Sequence, residues 1–182
     1  MHFQTEVTID RPRGEVFHRL ADEFARTMPV ICPLTISVTV DADKPIAIDT
    51  TGRMTVQNLF HSSIVDFRVT RFERDTRFSL EAHYRTRSAR TDLLLRDAGI
   101  GTTVTIVSDA PGRGPGWLQG WNYRVLERHE RRDAERLKAL LEGTRGDLGP
   151  GIARRSRRRS ILTFVLIGAA LALVLSVIRT VL

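Results

Sequence analysis

The stretch RTDLLLRDAGIGTTVTIVSD, residues 90–109, decides the fold that we expect for this chain. Apolar and polar side chains alternate on both sides of a glycine-rich centre, which is the period of a strand with one buried face. We therefore expect residues 90–96 to pair with residues 102–109 as antiparallel neighbours across a turn at residues 97–101.

The same two-residue period recurs upstream of this hairpin. With the hairpin it makes about seven predicted strands, the others covering residues 3–10, 34–40, 53–60, 62–72 and 77–85. After the first strand, Pro12 suits the first turn of a helix and Asp10 is a possible cap. The helical stretch is predicted to end before Pro29, as two short helices hinged near residues 21–22.

Downstream of the hairpin, a long helix is predicted from Gly116 to Glu142, and Gly143 is a good stop. Alternating strands suit an antiparallel sheet with one wet face, so the predicted class is α+β. The helix must bury an apolar stripe, and the concave inner face of that sheet is the large apolar surface available. The predicted stripe comprises Leu118, Trp121, Val125, Ala134, Leu137 and Leu141.

Three stretches resemble the START-like superfamily (SRPBCC), whose architecture is the helix-grip fold. Residues 9–22 are similar to its opening strand and first helix, residues 98–105 to its penultimate glycine hairpin, and residues 135–142 to the end of its last helix. The resemblance covers about residues 3–142 and is nearest to the polyketide cyclase/dehydrase and lipid-transport group. It implies a curved sheet that grips the long helix, with a cavity between them for an apolar ligand.

The C-terminal tail predicts a membrane anchor. Residues 161–178, ILTFVLIGAALALVLSVI, carry no charge and as a helix span about 27 Å, close to the hydrocarbon core of a bilayer. One arginine, Arg179, follows the span, while five precede it, so the domain is expected on the cytoplasmic side of the cell membrane in a single-pass topology. The five can also bind anionic lipid headgroups; they are Arg154, Arg155, Arg157, Arg158 and Arg159.

These features divide the chain into three parts. Residues 1–142 form the START-like domain, residues 143–159 a Gly/Pro linker with the arginine-rich juxtamembrane segment, and residues 160–182 the anchor. Within the anchor, Gly168, Ala172 and Ser176 recur every four residues, which permits close helix approach and a homodimer. Small residues are also common in membrane spans that do not dimerise.

Charge and composition exclude several functions. The net charge is +7, but residues 152–182 hold six arginines and no acid, which leaves 22 bases against 21 acids elsewhere. A nearly neutral domain offers no general field for nucleic acid, so no such partner is predicted. Cys32 is the single cysteine, and the five histidines show no metal-binding spacing, so neither a metal nor another cofactor is expected. The first residues lack the features of a signal peptide.

Seven residues are candidate cavity contacts, and each also has an ordinary structural interpretation. Asn58 and Tyr84 fall on inward rows, where they orient a ligand or bond the backbone. Trp117 and Trp121 gate the cavity mouth or belong to the core. His129, roughly on the inner stripe, is a general base, a ligand contact or a partly exposed helix histidine. The complete set is Asn58, Phe60, Tyr84, Trp117, Trp121, Val125 and His129.

Three functions remain open from the sequence. The leading one is a membrane-anchored domain that binds or carries a lipid or other apolar small molecule. The second is a cyclase/dehydrase-type enzyme on an apolar substrate, which requires polar side chains inside the cavity; no catalytic motif decides whether the chain is an enzyme. The third is a protein-recruitment module, which requires an exposed apolar patch on the convex side and a filled interior.

Overall fold

The computed structural model describes residues 2–41, 45–57, 62–84, 87–110 and 116–143. Within them, seven strands form one antiparallel sheet in the order β1-β7-β6-β5-β4-β3-β2. The strands are β1 (His2–Ile9), β2 (Thr35–Val40), β3 (Thr51–Gln57), β4 (Ser62–Glu73), β5 (Arg77–Tyr84), β6 (Arg87–Ala98) and β7 (Gly101–Asp109). The helices are α1 (Arg13–Phe17), α2 (Phe24–Ile31) and α3 (Gly116–Leu141), and a π-helical turn, His18–Asp22, follows α1. The predicted α+β class, with an antiparallel sheet and a C-terminal helix, is confirmed.

The predicted hairpin is formed by β6 and β7, which pair from Arg90↔Asp109 to Ala98↔Gly101. Its loop is shorter than predicted and consists of Gly99 and Ile100. Gly99 has a φ of 66°, which glycine adopts without strain at the first position of a two-residue hairpin loop. β1 adds to the other side of β7, with Ile9 opposite Thr102.

One strand departs from the predicted row of apolar side chains. The two-residue period predicted for residues 34–40 would put Leu34, Ile36, Val38 and Val40 on a single face. The register of β2 on β3 instead shifts between Thr35 and Ser37. A bulge inserts an extra residue, so Thr35 is buried while Ile36 is 39% exposed. The prediction is therefore wrong for the start of β2.

The helical segment after β1 also corrects two predictions. Pro29 lies inside α2, which continues to Ile31, because burial of Phe24, Thr27 and Ile31 on one face holds the helix despite the missing N–H. Asp10 does not cap α1: Pro12 occupies the N-cap position without a side-chain hydrogen bond. The predicted hinge lies at residue 23, between the π-helical turn and α2.

The core lies between the inner face of the sheet and the N-terminal helical segment. Phe24 packs edge-on against Phe67 and Phe78, with ring centroids 5.5 Å apart in both pairs. α3 packs along β1 and against α2, and it buries Ala134, Leu137 and Leu141. Among the described residues, no helix is long and apolar enough to cross a membrane, and the predicted anchor lies outside them.

Candidate functional site: a polar cluster beneath α3

The inner face of the sheet is packed at one end and incompletely covered at the other. Near the β6–β7 turn the inward side chains are buried; they include Ile9, Phe78, Leu95 and Val104. At the opposite end, inward positions on five strands keep partial solvent exposure; they are Thr5, Val56, Tyr84, Thr91 and Ile106. Phe3 and Ser108 at this end are buried. What remains is the incompletely covered part of the inner face beside α3, which packs along β1, and we call it the inner hollow.

A carboxylate lies on the face of α3 that is directed at the sheet. Glu130 precedes Ala134 by four residues and Leu137 by seven, so the three side chains share one face of the helix. Glu130 hydrogen-bonds the hydroxyl of Ser108 on β7, and burial raises the pKa of Glu130 above its ordinary value. The Ser108 hydroxyl lies 3.5 Å from that of Thr91 on β6.

Asp133, one turn further along α3, faces the corner between α2 and β2. Burial raises the pKa of Asp133 to about 7, and the nearby Glu130 acts in the same direction. Arg136 opposes this shift, since its Nη1 donates to Asp133 Oδ1 at 2.7 Å. The same guanidinium contacts the Ile31 carbonyl at 3.4 Å, which ties α3 to the end of α2.

Cys32 is the partner of Asp133 on that corner. Its thiol hydrogen-bonds the Asp133 carboxylate, while the Thr35 side chain and the Leu34 backbone also bond the sulfur. Burial, followed by the charge of Asp133, raises the pKa of Cys32 to about 12. The group is therefore a protonated hydrogen-bond donor and a poor nucleophile. We call these residues the interior polar cluster: Cys32, Thr35, Thr91, Ser108, Glu130, Asp133 and Arg136.

Two predicted contacts on α3 lie beside this cluster. Val125 and His129 are both partly buried, and the inner face is centred on Glu130, Ala134 and Leu137 rather than on His129. Burial lowers the pKa of His129, and the charges of three arginines, Arg132, Arg136 and Arg128, lower it further. The imidazole is consequently neutral at pH 7.

The other predicted site residues are only partly described. Tyr84 lies on the inner face of β5 and packs against the core. The backbone of Trp117 and Trp121 belongs to α3, but their side chains, like Asn58 and Phe60, lie outside the described residues. The five arginines of the tail and the stripe of Gly168, Ala172 and Ser176 also lie outside them. Their proposed roles stay predictions.

The sequence interpretation missed Glu130, Asp133 and Cys32. Glu130 had a detectable signal, because it stands four, seven and eleven residues before Ala134, Leu137 and Leu141 and so interrupts an apolar stripe. The sequence contained no signal for Cys32, since its contact with α3 arises only from the tertiary fold. In the described part of the chain, no group of three or more His, Cys, Asp or Glu side chains could hold a metal ion.

A second polar cluster lies on the outer face of the sheet. Arg77 Nη2 lies 3.0 Å from Asp92 Oδ1, and the buried Ser79 hydroxyl donates to the same carboxylate. Burial tends to raise the pKa of Asp92, but the bonds from Ser79 and Arg77 and the charge of Arg90 lower it overall. These partners satisfy Asp92 within the sheet, so we assign this cluster to stability.

Comparisons with known structures agree with this architecture. DR_A0006 from Deinococcus radiodurans is 19% identical, with a TM-score of 0.59 over 79% of this chain and 99% of that one. Protein jhp0584 from Helicobacter pylori is 13% identical, with a TM-score of 0.64 over 78% and 88%. DynU16, from the dynemicin biosynthetic locus, is 19% identical, with a TM-score of 0.56 over 78% of this chain and 47% of its own.

No protein-family profile and no curated protein matches the sequence. These likenesses show the fold alone: an antiparallel sheet of seven strands with a C-terminal helix, consistent with the helix-grip architecture that the sequence predicted.

Proposed function

We propose that this chain is a membrane-tethered helix-grip protein that binds or carries a lipid or other apolar small molecule between its sheet and α3. The observation that carries the proposal is the inner hollow: inward side chains on five strands retain partial exposure on the face of the sheet along whose edge strand, β1, α3 packs. A fold that needed only stability would fill this space with apolar side chains.

The interior polar cluster supports a ligand as well. A buried carboxyl group costs free energy unless an ion pair or several hydrogen bonds compensate it. Glu130 has a serine hydroxyl as its hydrogen-bonding partner, and no ion pair involves it in the described residues. Perturbed carboxyl groups beside an open interior are typical of functional sites.

The membrane part of the proposal rests on the sequence of the tail. Residues 160–182 anchor the chain, the five arginines contact anionic headgroups, and the domain faces the cytoplasm. The stripe of Gly168, Ala172 and Ser176 provides a homodimer contact. Full-length chain should resist alkaline extraction from membranes, and chain ending at residue 159 should be released; extraction of both would contradict the anchor.

Ligand binding is tested by transfer between vesicles. Full-length chain is placed in acceptor vesicles, and donor vesicles supply labelled phospholipid or quinone. We expect saturable, protein-dependent uptake that Thr91→Phe abolishes, because this side chain would fill the inner hollow. Thr103→Phe, on the outer face of β7, is the matched control and should retain uptake. Transfer that never exceeds that of protein-free acceptor vesicles would contradict the proposal.

An enzyme is the second candidate, and the pKa of Asp133 favours it. A carboxyl group that titrates at about 7 is matched to general acid–base work near neutral pH. The interior polar cluster supplies the polar side chains that a cyclase/dehydrase-type reaction on an apolar substrate requires. Asp133→Asn and Glu130→Gln should each lower turnover of such a substrate by at least about tenfold; turnover unaffected by both would exclude this role.

A recruitment module would use the outer face instead. Ile64 of β4 is 70% exposed, lies opposite Thr55 of β3 and lines an open depression with it. Ile36 of β2 is 39% exposed. If this surface binds a protein, Ile64→Ser should abolish capture of that partner while vesicle transfer is retained. If the wild type and Ile64→Ser captured the partner equally, the outer face would not be the recruitment surface.

A further inference from the structure

We propose that the polar end of the bound ligand is a basic nitrogen, an ammonium group on an otherwise apolar molecule, and that Glu130 is its contact. This inference rests on the proposed function and specifies the ligand class. It starts from the charged groups of the interior polar cluster, which are two carboxyl groups, Glu130 and Asp133, and one guanidinium, Arg136.

The single guanidinium is already engaged by other groups. Arg136 donates to Asp133 at 2.7 Å and contacts the Ile31 carbonyl at 3.4 Å. Glu130 is left with the neutral Ser108 hydroxyl as its partner, and its carboxyl group is close enough to Asp133 to act on it electrostatically. A cation arriving in the inner hollow therefore meets a carboxylate that no described ion pair has neutralised.

In the described part of the chain, the strands and the α2–β2 corner around Glu130 present no charged side chain toward it. β1 presents Phe3 and Thr5, and β6 and β7 present Thr91, Ile106 and Ser108 on the face toward α3. The α2–β2 corner presents the protonated Cys32 thiol and the Thr35 hydroxyl. On α3 itself, His129 is neutral at pH 7, and Arg128 and Arg132 are exposed.

The expected order of head groups follows from this arrangement. An ammonium group forms a charge-assisted hydrogen bond with Glu130 and is attracted by Asp133. A hydroxyl group forms only a neutral-donor bond, while a ligand carboxylate is repelled by Glu130. The apolar body of the ligand rests on the partly exposed Ile106. The neighbouring Phe3 is buried under Tyr123 of α3, with ring centroids 4.8 Å apart, and closes that side of the hollow.

Three photoreactive probes test this order. They share one diazirine-bearing alkyl chain and end in a primary amine, an alcohol or a carboxylic acid. Full-length chain in nanodiscs of zwitterionic lipid is labelled at pH 7, and the saturable yield is compared with empty nanodiscs. We expect the amine probe to label at least about tenfold more than the alcohol, and the acid least.

Matched variants separate the charge from the shape of the site. Glu130→Gln keeps the size of the side chain and should make amine and alcohol yields equal. Glu135→Gln, on the exposed side of α3, should leave the amine preference intact. Far-UV circular dichroism checks that each variant is folded.

The outcomes distinguish this inference from the proposed function. Saturable labelling that is equal for the three probes, or highest for the acid, overturns the ammonium ligand and leaves a carrier of apolar molecules standing. A preference for amine that survives Glu130→Gln overturns the assigned contact. No saturable labelling by any probe overturns both proposals together.

Discussion

The thiol of Cys32 hydrogen-bonds the carboxylate of Asp133, which joins the corner between α2 and β2 to the middle of α3. Both groups are partly buried, and burial, more than their contact, raises the pKa of each. Since α3 packs along β1 beside the inner hollow, the same bond also holds the helix next to the proposed ligand site. Its consequences are measurable in stability, in thiol chemistry and in ligand capture.

Stability should fall as pH rises from 5 to 8, and Asp133→Asn should reduce this dependence. In the folded chain the pKa of Asp133 is raised from 3.8 to about 7, so the folded state holds a proton that the unfolded state has lost. The stabilising contribution of Asp133 is fully present below the pKa of the unfolded state, 3.8, and is lost as the pH rises through the folded-state pKa of about 7. The loss amounts to at most about 1.4 kcal/mol per pH unit.

Urea unfolding at pH 5, 6, 7 and 8 measures this effect. The raised pKa of Glu130 acts in the same direction and the lowered pKa of His129 in the opposite one, so the difference between the wild type and Asp133→Asn is the informative quantity. Glu127→Gln, on the exposed side of α3, is the control. A difference that does not vary between pH 5 and 8 would show that Asp133 is not buried as described.

Cys32 should resist alkylation until the chain unfolds. Burial raises the pKa of its thiol to about 12, so thiolate at pH 8 is scarcer than in an unfolded chain by about three orders of magnitude. Iodoacetamide labelling followed by mass spectrometry gives the rate directly, because the chain has one cysteine. Equal rates in buffer and in concentrated urea would contradict the contact with Asp133.

Leu137→Ala should loosen the grip of α3. Leu137 is 1% exposed on the helix face that meets the sheet, and its truncation should cost about 2–5 kcal/mol of unfolding free energy. Leu140→Ala is the matched control, since Leu140 is only partly buried on the same turn and should cost less. Equal losses for the two variants would argue against the orientation of α3.

Substitution of glycine by alanine should have opposite effects on stability at Gly52 and at Gly14. In Gly52→Ala the added methyl group would lie 2.3 Å from the Thr39 carbonyl and 2.6 Å from the Phe67 ring, so β2 or the core must move. In Gly14→Ala the nearest atom is a flexible Asp75 oxygen at 3.7 Å. Removal of a helix glycine should stabilise the chain by about 0.5–1 kcal/mol. In thermal unfolding experiments, we expect the Tm of Gly52→Ala to be lower than that of the wild type and the Tm of Gly14→Ala to be equal or higher.

The alternation of residues 90–109 predicted the central hairpin, and the same two-residue period located the five remaining described strands, β1 to β5. Local patterns succeed here because burial of one sheet face imposes a period of two. They failed at Thr35, where a bulge shifts the register, and at Pro29, where burial of Ile31 outweighs one lost backbone bond. Both failures come from tertiary contacts that the local sequence does not contain.

The candidate site was less predictable than the fold. The predicted inner stripe of α3 contained no charged residue, yet Glu130 contacts Ser108 on β7 and Asp133 contacts Cys32 at the α2–β2 corner. Helical spacing to Leu137 could have revealed Glu130, whereas the partnership of Asp133 with Cys32 joins positions about a hundred residues apart. Such a contact follows only once α3 is placed against the α2–β2 corner.

The most direct test is native mass spectrometry of the full-length chain, purified from membranes and released from nanodiscs in the gas phase. We expect an adduct with the mass of an apolar small molecule, lost on denaturation, absent from Thr91→Phe and retained by Thr103→Phe. An adduct present in both variants would place the ligand outside the inner hollow. A bare mass for the wild type, unchanged after incubation with membrane lipid extract, would contradict the proposal that this chain binds an apolar ligand.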